Sequence, residues 1–238
     1  MVRGSQRAAH LNGSALVRLL AQYTEAAPPP RQAFADRLAQ WLGWADAIHL
    51  AAALNDSPAP PPPAPGLLMN PLQAEQAIAG LRAALGRGIQ DEFAARGPRP
   101  ALVLPMPMPG EAPDPRAQFA PLRRRYVARQ QAMETGIGAL RAQLREALAA
   151  RPGPSARLAA VDAVMEQVLA PQERALLATV PNWLERHFLR LCQTHADGDS
   201  GWLTTLCQDL QALLIAELDI RMQPAEGLLE ALRASQDR

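Results

Sequence analysis

Apolar residues recur along this chain at intervals of three and four, the spacing that gathers them on one face of an α-helix. Before residue 56 the pattern predicts three short helices. Ser14 is placed to cap the first, over 14–26, in which Leu16, Leu19, Leu20 and Tyr23 share a face. The second, over 31–42, aligns Phe34, Leu38, Trp41 and Leu42 and stops at Gly43. The third, over 45–54, carries Ile48, Ala51 and Ala52 at helical spacing. Trp41 and Trp44 flank Gly43 and are expected to tie these helices to a core. Asn70 then caps, and Pro71 opens, a helix over 70–95 with Leu72, Ile78, Leu81, Leu85, Ile89 and Phe93 on its stripe.

The second half is more regular. Over 116–150, Tyr126, Met133, Ile137, Leu140, Leu144 and Ala147 form a heptad seam with Gln130 as its polar exception. Unbroken, that helix reaches roughly 50 Å, although Pro121 is a candidate for its true start. A tight turn at 151–154 predicts that the next helix, over 155–169, folds straight back. So short a neighbour covers half of the seam and leaves exposed the end bearing Arg123 to Arg129. A helix starting at Pro171 should run to 195 with a kink at Pro181. Asp199 or Ser200 then caps a helix with Leu203, Leu206, Leu210, Leu213, Leu214 and Leu218, and a last short helix holds Leu228, Leu229 and Leu232.

Two proline-rich stretches, 56–66 and 97–115, interrupt the pattern. Proline lacks the N–H that a helix or ladder needs, so both are expected as mobile connectors that a protease cuts first. The predicted organisation is an N-terminal three-helix segment (1–55), a linker (56–69), a single helix (70–96), a second linker (97–115) and a C-terminal bundle (116–238). The fold class is all-α: an N-terminal cluster of short helices plus an elongated antiparallel helical bundle.

Composition strengthens the helical reading. Hydrophobic residues supply 48% of the 238 positions but aromatics only 4%, and alanine and leucine, both strong helix formers, dominate over β-branched residues. All 24 basic residues are arginine, which excludes a Walker A phosphate loop, a pyridoxal Schiff base and a kinase-type lysine. The net charge of +1 gives no global field toward nucleic acid or anionic lipid. No apolar run reaches the roughly 18 residues of a membrane span, and Arg18 interrupts the only candidate signal-peptide core. A cytoplasmic location, with no direct membrane insertion, is therefore expected.

Candidate chemistry is sparse. Gly198-Asp199-Ser200-Gly201 matches the surroundings of a protease nucleophile, but a turn and helix cap explain each residue. His187, Cys192, His195 and Cys207 have an H-x4-C-x2-H-x11-C spacing that zinc could use. His187 and Cys192, five apart, point to different sides of one helix, and both cysteines sit beside core leucines. Residues 38–54 have the outline of a helix-turn-helix whose reading helix contains no arginine. None of His10, His49, His187 and His195 has a visible companion for acid–base catalysis, and no cofactor is expected. Nine arginines against Glu134 and Glu146 over 116–157 give a local charge of 9 − 2 = +7. Arg123, Arg124, Arg125 and Arg129 are the candidate partner-binding residues there.

Four stretches resemble an uncharacterised bacterial family, the domain of unknown function 3348. These are Ser14-Ala15-Leu16-Val17-Arg18-Leu19-Leu20, Arg31-Gln32-Ala33-Phe34, Trp41-Leu42-Gly43-Trp44-Ala45-Asp46-Ala47-Ile48 and Asp209-Leu210-Gln211-Ala212-Leu213-Leu214. The resemblance runs nearly end to end. It implies a bacterial cytoplasmic protein, encoded near membrane-motor-like and envelope proteins, and brings no catalytic residues with it. The expectation is a non-enzymatic adaptor or assembly protein that works through protein–protein contacts with a membrane-associated complex, with a homo-oligomer open. A nucleic-acid factor using the arginine-rich helix is the second reading, and a zinc protein the third.

Overall fold

The computed structural model describes residues 14–23, 34–55, 68–93, 114–151, 153–194 and 201–235. Among them are eight helices and no strand: α1 (Ala15–Tyr23), α2 (Phe34–Trp41), α3 (Trp44–Asn55), α4 (Pro71–Phe93), α5 (Pro115–Ala149), α6 (Pro154–Leu177), α7 (Val180–Thr194) and α8 (Gly201–Ala234). The all-α expectation holds. No described helix is long and apolar enough to cross a membrane. The proline-rich stretch 56–66 and all but residues 114–115 of the stretch 97–115, where proteolysis is expected, lie outside the described residues, as do residues 195–200.

The caps explain where the helices begin. Ser14 Oγ accepts from the Val17 amide at 3.2 Å. Asn70 and Gln73 form a reciprocal capping box, each backbone N–H donating to the other's side-chain oxygen at 2.9 Å. Asp114 Oδ1 accepts from the Arg116 amide at 3.0 Å, so Pro115 opens α5 instead of closing a linker. At the α5–α6 turn Gly153 has φ 79°, a conformation that costs little only without a Cβ.

The interior prolines behave differently from their expectation. Pro121 and Pro171 lie inside α5 and α6, and α8 runs unbroken through Pro224. Residues 154–177 are therefore one helix, and 201–234 another. Pro171 and Pro224 are exposed, so the carbonyls they leave without a donor fall on the solvated side, where a helix tolerates the loss best. Burial of the opposite faces outweighs the local penalty. The real break comes at 178–179, where the Thr179 carbonyl accepts from the Asn182 and Trp183 amides at 3.1 and 3.4 Å. Pro181 thus sits in the first turn of α7, where its missing N–H is an orphan anyway, and does not kink a longer helix.

The chain divides into two compact units, each assembled from three separate stretches. The first comprises Met1–Pro28, Ala83–Glu134 and Ala178–Arg221. Its core joins Leu16 of α1, Ile89 and Phe93 of α4, Phe119, Leu122, Tyr126 and Met133 of α5, Leu184 and Phe188 of α7, and Leu206, Leu210, Leu213 and Leu214 of α8. The rings of Phe119 and Trp202 lie 5.5 and 5.7 Å from that of Phe188. The end of α5 that bears Arg123 to Arg129 is therefore not uncovered: its apolar face is buried by α4, α7 and α8 of the same unit.

The second unit comprises Pro29–Arg82, Thr135–Leu177 and Met222–Arg238. Ile137, Leu140, Leu144, Ala147 and Leu148 of α5 are buried there with Ala74 and Ile78 of α4, Ala156, Ala159 and Val168 of α6, and Met222, Leu228 and Leu232 of α8. At Gly136 a Cβ would stand 3.1 Å from Leu81 Cδ1, so glycine lets α4 and α5 approach closely. The α6 helix does fold back on α5, as the short turn predicts, and both α2 and α3 pack on α6.

Candidate functional site

Ion pairs absorb most of the arginine-rich stretch. In the first unit Arg123 and Arg116 reach Glu185 of α7 at 3.5 and 3.8 Å, and Arg125 and Arg129 share Glu92 of α4 at 3.6 and 3.2 Å. Arg124, between them, is exposed. In the second unit Arg141 and Arg145 of α5 face Asp162 and Glu166 of α6 in a closed square of four contacts, all within 3.3 Å. The +7 read along the sequence is thus offset by carboxylates from neighbouring helices. Three of the four candidate partner-binding arginines are engaged within the chain.

The cysteine–histidine pattern also resolves into separate contacts. His187 Nε2 lies 2.8 Å from Asp209 Oδ2, fastening α7 to α8, so this histidine does have the carboxylate companion that the sequence did not reveal. Cys207 is buried and Cys192 half-buried, and burial raises both thiol pKa values, favouring the protonated form. His195 lies outside the described residues. Among the described residues no three His, Cys, Asp or Glu side chains stand close enough to hold a metal ion.

One polar cluster was missed in the sequence. Glu217 of α8 is fully buried, and two side chains of α5 reach it. The Tyr126 hydroxyl donates to Oε2 at 2.9 Å, and the Gln130 amide donates to Oε1 at 2.7 Å. Arg221, one turn along α8, approaches Oε1 at 3.6 Å. The signal was present in two places. Glu217 interrupts the apolar run of Leu213, Leu214 and Leu218, and Gln130 interrupts the seam of α5. Neither interruption names the other, because 87 residues separate them.

Burial sets the acid–base character of this cluster. Desolvation raises the Glu217 pKa above its ordinary 4.5, against the opposing hydrogen bonds from Gln130 and Tyr126 and the charge of Arg221. The Tyr126 hydroxyl is raised well above 10.0, by burial first and by the Glu217 charge second. Groups whose folded pKa is raised stabilise the fold fully below their unfolded pKa, and that contribution is lost as pH rises through the folded value. Stability should therefore fall with alkalinity from about pH 10 upward as Tyr126 ionises in the unfolded chain. Denaturant titrations between pH 8 and 11 check this: Tyr126→Phe should show a flatter alkaline limb than the parent, and parallel curves would refute it.

The other distinctive surface is α3. Its sequence, WADAIHLAAALN, is apolar nearly all round, a pattern that normally belongs to a buried helix. Yet Ala53 is its one buried residue. Trp44 is 85% exposed, and Ile48 and Leu54 are each 51% exposed. With Ala47 and Ala51 these residues fall on one side of the helix. This corrects the expectation for Trp44, which is not in the core, and for Ile48, Ala51 and Ala52; Trp41 is half-buried. The physical reason is local. Trp44 is the first residue of α3, with its side chain opposite Ala53, the position through which α3 is buried. Asp46, which accepts from the Gly43 amide at 3.2 Å, lies near the Ala53 side of the helix, so the side bearing Trp44, Ile48 and Leu54 carries no charge.

No curated protein and no solved structure matches the chain. The family model described as protein of unknown function (DUF3348) matches residues 1–234, and the chain belongs to that family.

Proposed function

We propose that this protein is a non-enzymatic helical adaptor of the cytoplasm that captures a protein partner on the exposed face of α3. The observation that supports the reading is the exposure of Trp44, Ile48 and Leu54 on one uncharged side of a single helix. A contiguous apolar patch of this kind is uncommon on a soluble chain unless something docks on it, and tryptophan is the residue most often found at the energetic centre of protein interfaces. The matching partner is an amphipathic helix that lays its apolar stripe along α3, with anchors at helical spacing.

The arginine-rich helix supports this role less. Arg123, Arg125 and Arg129 already hold carboxylates of their own chain, so a nucleic acid or acidic partner would have to displace those pairs before gaining phosphate or carboxylate contacts.

Quantitative capture from native cell extract on the tagged full chain tests the proposal. Trp44→Glu with Ile48→Glu should lose a stoichiometric partner while the melting temperature stays within a few degrees. An Arg123→Glu, Arg124→Glu, Arg125→Glu variant should retain the partner. The reverse pattern would move the docking surface to α5, and retention by both variants would remove α3 from the interaction.

A further inference from the structure

The two interruptions in the apolar seams meet each other. Among the described residues Gln130 and Glu217 are the polar and charged residues that are buried as a whole, and they are hydrogen-bonded at 2.7 Å, with the Tyr126 hydroxyl on the second carboxylate oxygen at 2.9 Å and the largely buried Arg221 guanidinium 3.6 Å from the first. The surrounding seams carry little positional information. On α5 buried residues recur at 119, 122, 126, 130, 133 and 137, and the buried residues of α8 over 201–218, at 206, 207, 210, 213, 214, 216, 217 and 218, include the row 206, 210, 213 and 217, both rows stepping by three and four. Sliding one helix past the other by seven residues, about 10 Å, again sets apolar residues against apolar residues.

The polar residues do not survive that slide. One heptad toward the C-terminus, the positions equivalent to Tyr126 and Gln130 are Met133 and Ile137, which offer no donor to a carboxylate. One heptad toward the N-terminus they are Phe119 and Arg123: Phe119 has no hydroxyl for the second carboxylate oxygen, and Arg123 would have to leave Glu185 to reach the first. A fully buried carboxylate is tolerated only where its hydrogen bonds are made. We propose that Tyr126, Gln130 and Glu217 form a register key, which selects one alignment of α5 with α8 without adding stability beyond what an apolar cluster of the same shape would give. The proposal is independent of any partner at α3.

Distance measurement between spin labels tests it in the full chain, on a Cys192→Ser, Cys207→Ala background labelled through Arg124→Cys on α5 and Gln208→Cys on α8. Both labelled positions are exposed and belong to the first unit. With the native cluster, one narrow distance distribution is expected. In the triple variant Tyr126→Phe, Gln130→Leu, Glu217→Leu, made together with Arg221→Met so that no guanidinium is left beside the lost carboxylate, the melting temperature should stay within a few degrees, while the distribution splits or broadens by up to about 10 Å, one heptad of helix. A folded triple variant with the single native distribution would overturn the proposal, because packing alone would then fix the register. A triple variant that is unfolded at 25 °C would overturn it too, because the cluster would then be a source of stability.

Discussion

Phe188→Ala should lower the stability of the fold by about 3–5 kcal/mol, the usual cost of removing a large aromatic from a core. In a chain of this size that corresponds to a fall in melting temperature of roughly 6–20 °C. Phe188 is fully buried and lies between the rings of Phe119 and Trp202, so truncation removes contacts to α5 and α8 at once. Neither neighbour can close the gap easily, since each is anchored on a different helix. Thermal unfolding followed by circular dichroism at 222 nm measures the effect. A shift below 2 °C would show that the first unit does not depend on this aromatic junction.

Glu217→Leu on its own should cost about 2–5 kcal/mol, even though leucine suits a helix core. The substitution leaves the Tyr126 hydroxyl and the Gln130 amide facing a methyl group in place of their acceptor, and each buried donor so deprived costs about 1–3 kcal/mol. Adding Tyr126→Phe to Glu217→Leu should recover part of the loss. The double-mutant cycle should therefore give a coupling of about 0.5–3 kcal/mol. Additive losses measured by chemical denaturation would mean that the two side chains do not depend on each other.

Local features of the fold were legible in the sequence because their causes are local. Ser14, Asn70 with Gln73, and Gly43 mark helix ends through atoms three residues away, and the seam from Met133 to Leu144 is buried as its spacing implies. The prolines misled for the same reason. Pro171 reads as a helix start, and 201–234 as two helices, because such breaks are judged locally in the sequence, whereas the packing of Val168, Met222 and Ala225 that keeps each helix continuous is not visible there. The pairing of the arginines with Glu92, Glu185, Asp162 and Glu166 is likewise a long-range fact, so a run of positive charge read as a binding surface when much of it is a fastening between helices. Trp44 was misplaced in the opposite sense: hydrophobicity indicates that a side chain gains from burial, not whether this chain is what buries it.

The discontinuity of the two units has a consequence for biosynthesis. The last helix, α8, supplies Leu206 to Leu218 to one core and Met222 to Leu232 to the other, so neither can close until that helix has left the ribosome. At about 5–20 residues per second, the interval between completing α5 at Ala149 and completing α8 at Ala234 is about 4–17 seconds. Throughout it the leucine seam of α5 is without its final neighbour. A nascent chain in that condition is a natural client for chaperones that shield apolar helices, and a gene truncated before α8 should yield aggregate instead of one intact half.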